Sequence, residues 1–226
     1  MWLIDSSIGR KLIMSISGVF LVLFLLFHAT MNIVVIISPA GYNKICEFLG
    51  TNWYALVGTA VLAGGFVIHI LYALYLTWQN MRARGTQGYA VTKNQKSVEW
   101  SSQNMFVLGL IVFGFLCLHL YNFWFHMQYA ELAGVKEAFA PADGASFVQA
   151  LFSNKIYCVI YIVWLCALWF HLTHGVWSAL QTVGLNNKTW LPRVKVISTI
   201  ISTIVVLMFM SIPVYYLLGL GSCSCC

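Results

Sequence analysis

The chain has 226 residues, of which 61% are apolar and only 8% charged. A soluble globular domain has roughly 45–50% and 25%, so an ordinary soluble enzyme is excluded. A net charge of +6 would point to nucleic acid in a soluble domain, but in a chain this apolar it reports which loops face the cytoplasm, and no nucleic-acid partner is expected.

The expected fold is an all-α integral membrane protein, a single membrane domain over residues 1–226 built as a bundle of five transmembrane helices. Each helix comes from a run of about 20 apolar residues, the length that crosses roughly 30 Å of hydrocarbon. Met1 to Arg10 lacks the pattern of a cleaved signal peptide, because Arg10 and Lys11 precede an apolar run too long for one. The first span, Leu12–Ile37, carries Ser15, Gly18 and His28 and stops at the breaker Ser38-Pro39-Ala40-Gly41. Tyr42, Asn43 and Glu47 follow in the connection. The second span, Tyr54–Asn80, carries Gly58, Gly65 and His69, and Arg82 to Trp100 is polar. Asn104–Met127 contains Gly109, His119 and, near its end, His126; Ala140-Pro141-Ala142-Asp143-Gly144 reads as a turn. Ile156–Val183 contains His171, His174 and Gly175, and the last span is Val194–Leu218. Cys117, Cys158 and Cys166 lie in apolar runs without metal-binding spacing and read as small core residues, while Cys223, Cys225 and Cys226 form a tail with no assigned role.

Lys and Arg fix the expected orientation. Nine of them (Arg10, Lys11, Arg82, Arg84, Lys93, Lys96, Lys188, Arg193 and Lys195) share one side against three (Lys44, Lys136 and Lys155) on the other. This places the amino terminus in the cytoplasm and the carboxyl terminus outside, in a multi-pass protein of the inner (cytoplasmic) membrane. Trp53, Trp78, Trp100 and Trp190 near span ends fit an aromatic belt.

The spans hold no Asp or Glu, but they do hold histidines. A single membrane histidine is accounted for by a hydrogen bond to a neighbouring helix. Four of them, on four helices, sort by depth. His28 and His119 each lie about 15 residues, roughly 23 Å, from the cytoplasmic end of an outward-running helix. His69 and His174 each have about 10 residues, roughly 15 Å, left to that end on inward-running helices. Two pairs at two levels suit two bis-histidine haems: neutral imidazole is an iron ligand, and two axial ligands leave a haem fit for electron transfer. A porphyrin needs room between helices, which glycine supplies: Gly58 precedes His69 by 11 residues, close to three whole turns, so it is on the same face at the other level, and Gly18 and Gly109 each precede their histidine by 10. Residues three apart face similar directions, so His171 competes with His174; His174 is taken as the ligand and His171 as locally bonded.

Ser17-Gly18 with His28, His69, His119-Leu120-Tyr121 and His174-Gly175 resembles the dihaem cytochrome b subunit of succinate:quinone oxidoreductases and fumarate reductases, over nearly the whole chain. The resemblance implies two haem b groups, with His69 and His174 on the iron of the proximal one and His28 and His119 on that of the distal one. It implies a cytoplasmic flavoprotein carrying FAD and an iron–sulfur subunit as partners, with a dimer of the complex allowed. It also implies a quinone substrate, menaquinone in similar proteins. The dicarboxylate chemistry then sits on the flavoprotein and the quinone half-reaction here, within the respiratory chain and tricarboxylic acid cycle. The chain itself has no dinucleotide fingerprint and no cluster-type cysteine spacing. Two departures stand out: the fourth helix lacks the carboxylate some fumarate-reducing relatives carry, and Glu47 is not at the relatives' offset from His28.

Glu47 is the candidate for proton exchange with the quinone, accompanied by Tyr42, Asn43 and His126. His126 could instead meet a haem propionate. Ser15 and Lys188, with Lys11 and Arg193, are candidate propionate partners on the cytoplasmic side. Alternatives are a cytochrome b of another complex, such as a hydrogenase or formate dehydrogenase, and a haem-free histidine relay in a channel or transporter.

Overall fold

The computed structural model describes residues 6–50, 52–84 and 99–221. Its elements, in order, are α1 (Ser7–Ile37), α2 (Pro39–Phe48), α3 (Trp53–Ala83), α4 (Met105–Ala133), α5 (Gly144–Ser153), α6 (Lys155–Leu185) and α7 (Trp190–Leu217). Helices α1, α3, α4, α6 and α7 are long and apolar enough to cross a membrane. They extend most of the expected ends by a few residues. Among the described residues there is no strand.

Helix starts are set by side-chain oxygens that accept otherwise unpaired backbone N–H groups. Ser6 accepts from the Gly9 amide at 2.9 Å, and Asn154 accepts from that of Ile156 at 3.0 Å. The expected breaks at Ser38 and at Asp143 prove to be starts as well. Ser38 leaves the helix at φ −153°, ψ 99°, and its hydroxyl caps α2 with Pro39 in the first turn; the Asp143 carboxylate caps α5. Each breaker thus seeds a short helix that the apolar-run criterion, tuned to about 20 residues, passes over.

Neighbouring spans run antiparallel. Arg10 and Ser17 of α1 reach Tyr75 and His69 of α3, and Asn122 of α4 donates to the Tyr161 hydroxyl of α6 at 3.0 Å. Trp169 of α6 donates to Thr203 of α7 at 2.9 Å, and Ser198 donates to the Thr173 carbonyl at 2.8 Å. In hydrocarbon such interhelical bonds contribute about 0.6 kcal/mol each, up to about 2.

Helix α6 is the axis of the bundle, burying Cys158, Tyr161, Trp164, Leu165, Leu168 and Leu172 against α1, α4 and α7. Helix α3 differs. It packs chiefly on α1, where a Cβ at Gly65 would lie 2.5 Å from Phe20 Cε1, so only glycine seats that ring. Val57, Val61, Val67 and Leu71 point outward from it, as expected of residues facing lipid tails. At the end of the bundle opposite the chain start, called here the far face, α2 and α5 clasp each other. Asn43 donates to Asp143 at 2.6 Å and accepts from the Ala145 amide at 2.9 Å. Gly144 is buried against Tyr42 and Cys46, with no room for a side chain.

Candidate functional site

The far half of the bundle brings His28 of α1 and His119 of α4 together, with ring centroids 6.0 Å apart and planes at 84°. Aromatic rings enclose the pair: Phe24 stacks on His28 at 5.2 Å, Phe209 approaches it at 5.6 Å, and Phe123 and Trp164 flank His119. Asn32, one turn beyond His28, donates to the His28 carbonyl at 2.8 Å and lies 3.2 Å from its Nδ1. Asn32 in turn accepts from the Tyr42 hydroxyl at 2.9 Å. The first imidazole is therefore tied through two side chains to α2. His119 Nδ1 is buried without a partner.

The near half, toward the amino-terminal end, holds His69 of α3. Ser17 Oγ lies 3.2 Å from His69 Nδ1. The Ser17 hydroxyl also donates to the Met14 carbonyl at 3.1 Å, and a hydroxyl has one hydrogen, so toward the ring it accepts. Nδ1 then carries the proton and the Nε2 lone pair is free, the tautomer that a metal needs. Across from it, His171 of α6 lies within electrostatic range of both His69 and His174, and its Nδ1 is buried without a partner. Glycines line both rings. A Cβ at Gly18 would lie 3.5 Å from His69 Cε1, and one at Gly109 would lie 3.7 Å from His171 Cε1. Gly18 of α1 and Gly109 of α4 thus lie against the His69 and His171 rings.

His174 sits elsewhere. Its ring meets Trp177 at 4.8 Å, and the charges it senses are Glu99 and Lys195. The spacing preference for His174 and the electrostatic proximity of His171 to His69 thus favour different residues of α6, and His174 Nδ1 is buried without a partner just as His171 Nδ1 is. Residues three apart on a helix differ by roughly 60° in direction, enough to separate the two.

The remaining candidates fall at the two ends. His126 bonds Glu137 at 3.0 Å. Ser15 is buried, its hydroxyl donating to the Lys11 carbonyl at 2.9 Å. Lys188 is exposed in the connection between α6 and α7, Lys11 is also exposed, and Arg193 covers Trp190 at 5.5 Å. Glu47 is exposed at the far face and lines a cavity of about 500 Å³ with Lys44, Cys46, Phe48, Asn52, Tyr54 and Glu131. Beside it, burial pushes the Cys46 thiol up to about 11 and raises the Tyr42 phenol. The Ser146 hydrogen bond holds the Asp143 carboxyl below the ordinary range. Spacing to a ligand could have found Asn32, which is four residues from His28 on the same face. It offered nothing for Ser17, whose partner is 52 residues away.

Three observations suit a bis-imidazole iron porphyrin at each level. Two imidazoles on one metal, with bonds of about 2 Å each, have rings about 6 Å apart, the separation seen for His28 and His119. Buried Nδ1 atoms at His119, His171 and His174 lack partners. The rings of His69 and His171 are bordered by glycine on α1 and α4. Among the described residues no three His, Cys, Asp or Glu converge on a metal-ion position.

Comparison with models of protein families, with curated proteins and with solved structures finds no match. The fold is all-helical over the described residues, with five helices long and apolar enough to cross a membrane, consistent with a multi-pass membrane protein.

Proposed function

We propose that the chain is the membrane-anchor cytochrome b of a succinate dehydrogenase or fumarate reductase complex, carrying electrons between an iron–sulfur partner and quinone through two haems b. The observation that carries this reading is the sorting of buried imidazoles into two levels, each level drawing on two helices that are not neighbours in sequence. His28 and His119 hold the far haem; His69 and, on the geometry, His171 hold the near one. Each haem, when bound, supplies a one-electron carrier with no open coordination position.

The chain's own side chains do the rest. Ser17 holds the proton on His69 Nδ1 so that Nε2 faces inward, and Asn32 fixes the His28 ring from Tyr42. Phe24, Phe209 and Trp164 keep water from the far pair. Glu47, at the far cavity, exchanges a proton with a quinone oxygen. The Lys and Arg bias puts the amino-terminal face in the cytoplasm, where the flavoprotein and iron–sulfur subunits dock. The test is pyridine haemochrome quantification on the purified complex with identification of its co-purifying subunits. Two haems b per chain, with a flavoprotein and an iron–sulfur protein, are expected. Absence of reducible b-type absorbance overturns the reading, and haems with a hydrogenase or dehydrogenase partner of another kind redirect it.

A further inference from the structure

The seam between α1 and α3 runs on past Ser17 and His69 toward the amino-terminal end, where Arg10 meets Tyr75. Arg10 precedes Ser17 by two helix turns, roughly 10 Å along the axis and within about 20° of the same face. Its guanidinium donates to the Tyr75 hydroxyl at 3.4 Å and lies 5.8 Å from the centre of that ring. Gln79 donates to the same hydroxyl at 2.9 Å. A phenol oxygen that accepts from two donors keeps its own hydrogen for another group. Arg10 Nε has no partner, and the carboxylates that form ion pairs among the described residues, Glu137 and Glu99, face His126 and Lys195 instead. The seam thus gathers donors, one of them fully charged, around an acceptor that the described residues do not supply. Tyr75 is 40% exposed and Arg10 partly so, which leaves the phenol and the guanidinium open to an incoming group.

We infer that Arg10 and Tyr75 bind a propionate carboxylate of the near haem; the inference rests on the dihaem role proposed above. A carboxylate taken into a low-dielectric bundle needs opposite charge and hydrogen bonds together. A planar guanidinium offers both in a fork that matches its two oxygens, and the phenol O–H adds a third donor. The same seam carries the ring whose tautomer Ser17 sets, so one pair of helices fixes the group at its metal and at its edge. The partners expected from the sequence are turned away or engaged. Lys11 and Lys188 are exposed, the Ser15 hydroxyl donates to the Lys11 carbonyl, and Arg193 covers Trp190. In the sequence Arg10 counts only toward orientation, because its face relative to His69 depends on how α1 meets α3. A lipid phosphate offers similar oxygens from the bilayer side, and the experiment separates the two sources.

The test is transfer of haem from the purified complex to excess apomyoglobin, with infrared difference spectra of reduced minus oxidised complex whose haem carries carbon-13 in its propionates. The near haem is identified as the one missing from His69→Ala. Arg10→Met is expected to speed its transfer by about tenfold or more, the weight of one charge-assisted hydrogen bond, and to shift the isotope-sensitive carboxylate band, with the far haem unchanged. Arg10→Lys, which keeps the charge without the fork, should fall between, and Tyr75→Phe should shift the band with a smaller change in rate. Arg82→Met, an equal loss of charge at the same end of the bundle, should alter neither readout. The inference is overturned if the Arg10 and Tyr75 variants retain the unaltered rate and band, if Arg82→Met or Lys11→Met reproduces their effect, or if Arg10→Met only loses co-purifying phosphatidylglycerol. Should Arg10→Met fail to assemble, Arg10→Lys and Tyr75→Phe decide on the same readouts. An unaltered complex without haem strikes the proposed function itself, whereas normal haem with unmoved rates and band strikes this inference alone.

Discussion

Replacing His171 with alanine separates the two candidate ligands of α6. His171 Nδ1 is buried and unpartnered, a state that costs the haem-free chain about 1–3 kcal/mol. Alanine removes that penalty but leaves a cavity whose cost is of similar size, about 2–5 kcal/mol for large-to-small changes in a core. The haem-free fold is therefore expected to change in stability by between about 1 kcal/mol gained and about 4 kcal/mol lost. The haem-loaded protein loses one axial nitrogen of the near pair, so the haemochrome signal per chain should fall by half, with the near haem missing from the reduced-minus-oxidised spectrum. His174→Ala removes a ring contact with Trp177 and should leave both haems in place. The measurement is haem per protein on chains of equal purity and equal helicity. Two haems in His171→Ala together with one in His174→Ala would refute the assignment drawn from packing and restore the one drawn from spacing.

Ser17→Ala takes away the acceptor for His69 Nδ1–H; partners of this kind shift metal affinity by about 10–100-fold, and transfer of haem to an excess of apomyoglobin should accelerate by that factor for the near haem only. Cys46, pushed up to about 11 by burial, is almost wholly protonated at pH 8, so maleimide should label it about 200-fold more slowly than a free thiol of pKa about 8.5; equal rates in the folded protein would contradict the packing of α2 on α5. The depressed Asp143 carboxyl makes the clasp of α2 and α5 pH-dependent in one direction. Its contribution is complete above the unfolded-state value of about 3.9 and is lost as pH falls through the lower folded-state value, so exchange of the Ser146 and Phe147 amides should quicken in acid. Asp143→Asn should flatten that pH profile.

The number of spans was legible because hydropathy over about 20 residues is a strong signal. The levels of the histidines were legible because helix rise converts residue counts into depth. Rotation about a helix axis was not. Choosing between His171 and His174 needs the direction of α6, set by Trp164, Leu168 and Leu172 packing on α1, α4 and α7. Ser17 could not be read as a partner of His69, because that pairing depends on how closely Gly65 lets α3 approach Phe20. The short helices α2 and α5 were hidden for a different reason: their starts carry the same Ser-Pro and Asp-Gly chemistry as a turn, and the pattern alone does not say whether a helix follows.

The attachment of α3 bears on how such a molecule is put together. Three spans close around α6 to make a four-helix frame, while the fifth, α3, leans on α1 at the Gly65 seat and is held to α4 by the Thr59–Gln128 bond at 3.1 Å. A planar guest arriving sideways from the lipid would have to part those two latches together with the Arg10–Tyr75 and Ser17–His69 contacts, while the four-helix frame stays closed. His69 rides on that less enclosed helix, so on the proposed function closing α3 and ligating the guest would be one motion. On the proposed function, maturation of the near level would thereby be set apart from that of the far level, whose two imidazoles both belong to the frame.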